Sequence, residues 1–294
     1  MLTSDGIDTT RALGWASRFI GPLKGVQELA GGQTSTMLGL TPETGDRAVL
    51  RLMTREPWRT HGAGLTSRES DIQQMLAETP VAAPRSLALD AFGEACGHPA
   101  HLMSFLPGQI ELGRSDAVSL QRLAELLTAI HAVRPTVAVR TYQSWAWEAK
   151  YTVPSWASDR LLWEDAFALL RTEPPPYEPC FIHRDFAPRN VLWCAGRVSG
   201  VVDWVETSLG PAWLDVAHCC TNISISNGDD FAQVFAAAYV ERTGRVPQPY
   251  FDVMDIVGFL PPPGVQGFIT DPREQARLEA RLAWVVRTLE RPVR

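Results

Sequence analysis

The chain has 294 residues, of which 45% are hydrophobic and 20% charged, with a net charge of −6. That composition excludes a disordered chain and allows a sizeable core without disulfides. A pI near 5.6 also excludes a phosphate-coating nucleic-acid binder, which needs a cationic surplus. The five cysteines are scattered and form no C-x-x-C pair, as expected of reduced thiols. The opening MLTSDGIDTTRALGW lacks the basic-then-apolar order of a signal peptide, and no apolar run approaches a membrane span. A cytoplasmic protein without membrane or nucleic-acid partners is the expectation.

In chain order, three β-prone runs come first: VQELA from Val26, TMLGL from Thr36, and AVLRLM from Ala48. Polar or glycine-bearing turns separate them, which predicts an antiparallel meander. The loop between the first two contains Gly31, Gly32 and Ser35. It lies between strands, so it matches neither a Walker motif nor a dinucleotide fingerprint. Its small residues suit backbone amides closing over phosphate. Arg51 stands between Leu50 and Leu52 and so faces away from both. Beyond Thr66, a helical pattern through Ile72, Met75 and Leu76 places Glu69 in its first turns, where it can pair with Arg51.

SLALD and HLMSF read as two further strands, and Pro107-Gly108 breaks the pattern. The chain then changes character. Helices are expected at 115–131, 155–171, 211–221, 229–243 and 271–289. The predicted division is a β-rich nucleotide-binding lobe over 1–104 and a mainly helical catalytic and substrate-binding lobe over 105–294.

The most informative stretch is CFIHRDFAPRNVLWCAGRVSGVVDW, from Cys180 to Trp204. His183, Arg184, Asp185 and Asn190 stand in the order H-R-D-x-x-x-x-N, and Asp203 follows thirteen residues after Asn190. Asp185 can orient or accept a hydroxyl proton, while Asn190 and Asp203 offer the hard oxygens that magnesium prefers. These residue types at this spacing point to phosphoryl transfer. A strand up to Trp193, a turn at Gly196 and a strand from Val198 form the expected hairpin, which would bring Asp203 back beside Asn190. Seven tryptophans between Trp145 and Trp213 are expected mostly as core. Glu148, Glu206, Asp229, Asp230, Asp252 and Asp255 are available to a polyamine, but most are read as solvated helix faces.

FIHRDFAPRNVLW and VVDWVETSLGPAWLDVAH resemble the two most specific motifs of the aminoglycoside phosphotransferase and choline kinase-like family. The resemblance runs from about Val26 to the last helix. It implies an α+β, protein-kinase-like two-lobe fold: an antiparallel β-sheet lobe with one main helix, then a mostly α-helical lobe. It implies transfer of a phosphoryl group from ATP or GTP, with Mg²⁺, to a hydroxyl of a small molecule by a monomer or homodimer. The acceptor would be an antibiotic such as an aminoglycoside or macrolide. Alternatives are a choline, homoserine or sugar kinase, or a nucleotide-binding pseudokinase. By resemblance Asp185 is the catalytic carboxylate and His183 supports its loop. Asn190 and Asp203 hold the metal, Arg51 and Glu69 form the nucleotide-side ion pair, and Ser104 and Leu106 meet the adenine edge, with Leu192 also on the nucleotide. Asp215 matches a family aspartate with a structural role. The chain departs from the family in Arg51 for lysine, Arg184 for glycine, and Val205 where relatives place an acid.

Overall fold

Residues 2–29 and 34–289 are described by the computed structural model of the chain. Gly31 and Gly32 fall outside the described residues. The chain divides into two units, Met1–Gln109 with Leu192–Glu206, and Ile110–Val191 with Thr207–Arg294.

In the first unit, α1 (Thr10–Ile20) precedes β1 (Leu23–Glu28), β2 (Thr36–Pro42) and β3 (Ala48–Leu52). After these come α2 (Gly62–Leu76), β4 (Ser86–Asp90), β5 (Ala100–Ser104) and the short β6 (Gln109–Ile110). β1 to β5 form an antiparallel sheet in the order β1-β2-β3-β5-β4. The meander is therefore as read from the sequence, and α2 begins four residues before the first residue of the predicted pattern. The alternation in β3 buries Leu50 and Leu52 with Leu38, Leu40 and Leu102 on one face. That face meets Ala12, Trp15 and Ala16 of α1, which the i, i+3, i+4 spacing puts on one side of the helix. Among the described residues the unit carries α1 beside α2, the one main helix expected. Arg11, Gly14 and Arg18 lie on the exposed side of α1, and Leu13 and Ile20 pack beside its three buried residues, so α1 is amphipathic and its signal in the sequence was passed over.

The second unit begins with α3 (Ala117–His131) and α4 (Arg160–Leu170), followed by β7 (Cys180–Ile182). β8 (Val191–Cys194) and β9 (Arg197–Val201) then form the hairpin, and β10 (Ser208–Gly210) resumes the second unit. It ends with α5 (Ala212–Asn227), α6 (Asp229–Thr243), α7 (Pro249–Gly258) and α8 (Pro272–Leu289). β10 pairs antiparallel with β7. The β8–β9 turn is Ala195-Gly196, both at positive φ, the geometry that matches strand twist in two-residue hairpins. α5 is buried on nearly every face and packs against α6, α7 and α8. α7 was not predicted. It is ten residues long and carries Asp252 and Asp255 among apolar neighbours, a pattern that fits no solvent-facing helix. Both aspartates are buried, which overturns the reading of them as solvated.

One buried acid ties the ends of this unit together. Glu279 of α8 accepts hydrogen bonds from the Ser158 and Asp159 amides and from the Trp163 indole at 2.9 Å. The Asp159 carboxylate in turn caps α4 by accepting from the Leu162 amide at 3.1 Å. Among the described residues, no helix is long and apolar enough to cross a membrane.

Because α1 supplies a wall of the first core, Trp15→Ala should destabilise the protein by about 3 kcal/mol. In urea the midpoint should fall with little change in slope; an unchanged midpoint would place α1 outside the cooperative core.

Candidate active site

In the first unit, Arg51 is turned out of the Leu50 and Leu52 face and is nevertheless buried. Its Nε lies 3.3 Å from Glu69 Oε2 and its Nη2 lies 3.0 Å from Asp203 Oδ1. The expected pair is present, and Asp203 joins it. Glu69 is fully buried and is also bonded to His101 Nδ1 at 3.0 Å. His101 sits directly across from Arg51 in the β3–β5 ladder, and its Nε2 reaches Ser86 Oγ at 3.0 Å. Sequence reading passed over His101, although the HLMSF strand, paired with the Arg51 strand, was a signal that could have found it.

Burial opposes both charges of the pair, yet attraction prevails. Burial would lower the Arg51 pKa, but Glu69 and Asp203 raise it. Burial would raise that of Glu69, but Arg51 and then His101 lower it. Asp203 has φ +68 and is partly exposed. A non-glycine residue held in the left-handed region is a mark of functional sites. It is followed by a helical turn over Trp204–Glu206 that packs on α2, and Arg68 donates to the Val205 carbonyl at 2.8 Å.

Ser35 is buried just ahead of β2, and Leu106 and Leu192 are half-buried. Ser104 donates its amide to the Arg85 carbonyl at 2.9 Å. The connector after β5 is pressed against the β8–β9 hairpin. A Cβ at Gly200 would lie 2.5 Å from Leu106 Cδ1, and one at Gly108 would lie 2.7 Å from the Trp193 carbonyl.

In the second unit, the H-R-D loop leaves β7 through a turn held by one carboxylate. Asp215 of α5 accepts from the His183 amide at 2.8 Å with Oδ2 and from the Arg184 amide at 2.7 Å with Oδ1. His131 of α3 approaches Oδ2 at 3.2 Å. Arg184 can therefore hold φ +72, a conformation glycine would reach freely and arginine reaches only when bound in place. Its guanidinium stacks on Trp145 at 3.7 Å. His183 is fully buried, and its Nδ1 accepts the Asp185 amide at 3.3 Å.

Asp185 receives three side chains. Asn190 Nδ2 donates to its Oδ2 at 2.9 Å and to its carbonyl at 2.8 Å. His218 Nε2 lies 2.9 Å from Oδ1, which Arg189 Nη2 also contacts. Burial would raise the pKa of this carboxylate, but Arg189 and then His218 hold it well below the usual range. Sequence reading missed Arg189, His218 and Asn222. Asp215, His218 and Asn222 recur at i, i+3 and i+7, one face of α5 turned toward the loop, and that spacing was a usable signal. The tryptophans are largely core, as expected: Trp163, Trp193, Trp204 and Trp213 are buried, whereas Trp147 is half-exposed.

A buried ion pair on a β-sheet unit and an H-R-D-x-x-x-x-N loop on a helical unit define a kinase-like phosphotransferase. Over residues 25–250 the chain matches the family model of the Phosphotransferase enzyme family, APH. The chain belongs to that family and is a small-molecule kinase. A search of curated proteins returns no match. Among solved structures it is similar to a thermostable mutant of aminoglycoside phosphotransferase APH(4)-Ia in ternary complex with ADP and hygromycin B. That match has 17% identity and TM-score 0.65, covering 95% of this chain and 99% of the other. It is also similar to the macrolide 2'-phosphotransferase MphH apoenzyme from Brachybacterium faecium, with 18% identity, TM-score 0.61, and coverage of 96% and 99%. A streptomycin-ATP-APH(2")-IIa ternary complex matches with 15% identity, TM-score 0.59, and coverage of 87% and 89%. At these identities the likeness is one of fold.

Asp215 carries a pH signature. Burial would raise its pKa, but His131 and the turn it binds lower it below 3.8. A lowered carboxylate stabilises the fold above its unfolded pKa and loses that contribution as pH falls through the folded value. Asp215→Asn should therefore lower stability by about 3 kcal/mol at pH 7 and give a shallower acid-side decline than wild type. Thermal melts from pH 7 to pH 3 check this, and parallel curves for the two proteins would contradict it.

Proposed function

We propose that the protein transfers the γ-phosphoryl group of ATP, with Mg²⁺, to a hydroxyl of a small molecule. The single observation that carries this reading is the Asp185 carboxylate of the H-R-D loop, fixed by Arg189 and Asn190 from the loop and by His218 from α5. On this reading Met1–Gln109 with Leu192–Glu206 binds the nucleotide, and the remaining unit carries catalysis and the acceptor site. Arg51, fixed by Glu69, lies on the phosphate side, where its guanidinium can grip oxygens bidentately in place of the family lysine. Ser35, Ser104, Leu106 and Leu192 are assigned to the nucleotide with it, and the loop sequence alone assigns Gly31 and Gly32 likewise.

The donor chemistry suits magnesium. Asn190 uses its amide nitrogen on Asp185, so its oxygen is the atom left for a cation, and Asp203 supplies a partly exposed carboxylate. Magnesium, when bound, offsets the negative charge of the phosphates. In the reaction the acceptor oxygen bonds to the γ-phosphorus. The bond from that phosphorus to the β,γ-bridging oxygen breaks, and its electron pair stays on ADP. The hydroxyl proton leaves through Asp185 to solvent. A carboxylate this acidic is a weak base, so Asp185 acts chiefly by orienting the hydroxyl, which suits a loose transition state.

For the acceptor, antibiotics of the aminoglycoside or macrolide kind follow from the family. The acids do not decide between these and a neutral metabolite: Asp252 is committed to Arg281 and Trp213, and Asp255 to His218, whereas Glu148 and Asp230 are exposed. The Asp185 carboxylate itself is flanked by Arg189 and His218.

A coupled nucleotide-consumption screen across aminoglycosides, macrolides, amino alcohols and sugars, with and without Mg²⁺, tests the reading. Asp185→Ala should lower kcat by about 10²-fold or more with ATP binding nearly intact. Comparable turnover in the variant would remove Asp185 from this role.

A further inference from the structure

We propose that His218, clamped between Asp185 and Asp255, is a positioning residue for phosphoryl transfer that works as a doubly protonated imidazolium. The proposal rests on the phosphotransferase reading and concerns a residue outside the H-R-D loop. His218 Nδ1 lies 2.8 Å from Asp255 Oδ1 and Nε2 lies 2.9 Å from Asp185 Oδ1. Both partners are carboxylates, which only accept, so each short contact requires a proton on the ring nitrogen.

Arg189 Nη2 and Asn222 Nδ2 also stand 3.2 Å from Nε2. A neutral ring could accept from them, but its lone pair would then point at the Asp185 oxygen 2.9 Å away. The carboxylate contact is the shorter one and decides the protonation. The ring has no freedom to turn: Phe259 stacks on it at 5.6 Å and Trp145 meets it edge-on at 5.3 Å. Both His218 and Asp255 are buried.

The charged groups around the ring come from every side. Asp185 and Arg189 face it from the loop and Asp255 from α7, Arg184 lies 3.9 Å from Asp255, and Lys150, whose pKa burial lowers to about 8, also acts on Asp255. Burial would lower the imidazole pKa, but Asp255 and then Asp185 raise it above 6.5. A raised histidine keeps its proton below that folded pKa and loses it as pH rises through it. Above that point Asp185 loses one of its three donors, and its Oδ1 edge is held by Arg189 alone. The activity should therefore carry an alkaline limb that belongs to His218.

The experiment pairs a spectroscopic with a kinetic measurement. At pH 7 the imidazole ¹⁵N shifts of His218 should show two protonated nitrogens, with the pKa lowered in Asp185→Asn and in Asp255→Asn. Consumption of magnesium-ATP, with water, kanamycin or glucose as acceptor, should fall about tenfold in kcat for His218→Asn with the KM for ATP unchanged. The alkaline limb should vanish in that variant and move to lower pH in Asp255→Asn, with melts showing which variants are folded. A neutral His218 at pH 7 would overturn the proposal. So would an imidazolium whose replacement, or whose shift in Asp255→Asn, leaves kcat and its pH profile unchanged. No nucleotide consumption by wild type would sink the phosphotransferase reading itself, and the ¹⁵N result would then show separately whether the clamp exists.

Discussion

The Asp215 carboxylate accepts two consecutive amides, those of His183 and Arg184, and by doing so fixes the turn from which Asp185 projects. Two amide bonds to one buried anion are strong enough to hold a non-glycine residue at positive φ, since charge-assisted hydrogen bonds are roughly twice as strong as neutral ones. The sequence consequence is visible at position 184. A family that usually places glycine there has an arginine here. The arginine uses its side chain, stacked on Trp145 and directed toward Asp255, to join the network that the turn creates.

That network extends along one face of α5. Asp215 grips the backbone of the loop, His218 meets its carboxylate, and Asn222 meets Arg189. The helix thus presents three polar groups in a row to a loop whose regular structure is one helical turn over Pro188–Asn190. Burial makes each of these groups costly to leave unpaired. A change at one is therefore felt at the others, and the Asp185 carboxylate is held by the core as well as by its own loop. The first unit uses the same economy: Glu69, with no exposed surface, organises both Arg51 and His101.

Much of this was legible in the sequence because it is local. The strands of the meander alternate, the H-R-D loop has its spacing within eight residues, and Arg51 and Glu69 lie on elements with clear periodicity. What escaped depended on partners distant in sequence. Asp252 and Asp255 read as solvated because nothing near them in the chain neutralises them. Arg281, Trp213 and His218 do so from other helices. α1 is the exception, since its apolar face of Ala12, Trp15 and Ala16 with Leu13 and Ile20 is local and readable, whereas His101 escaped because its meaning comes from the strand opposite.

The central claim is that the Asp185 constellation moves a phosphoryl group to a hydroxyl. The most direct test is ³¹P NMR of the protein with magnesium-ATP and each candidate acceptor in turn. The account predicts a new phosphomonoester resonance growing as ADP appears, with one acceptor and not without it, and lost in Asp185→Asn. Nucleotide bound but unconsumed with every acceptor, or a phosphomonoester formed equally by Asp185→Asn, would contradict it.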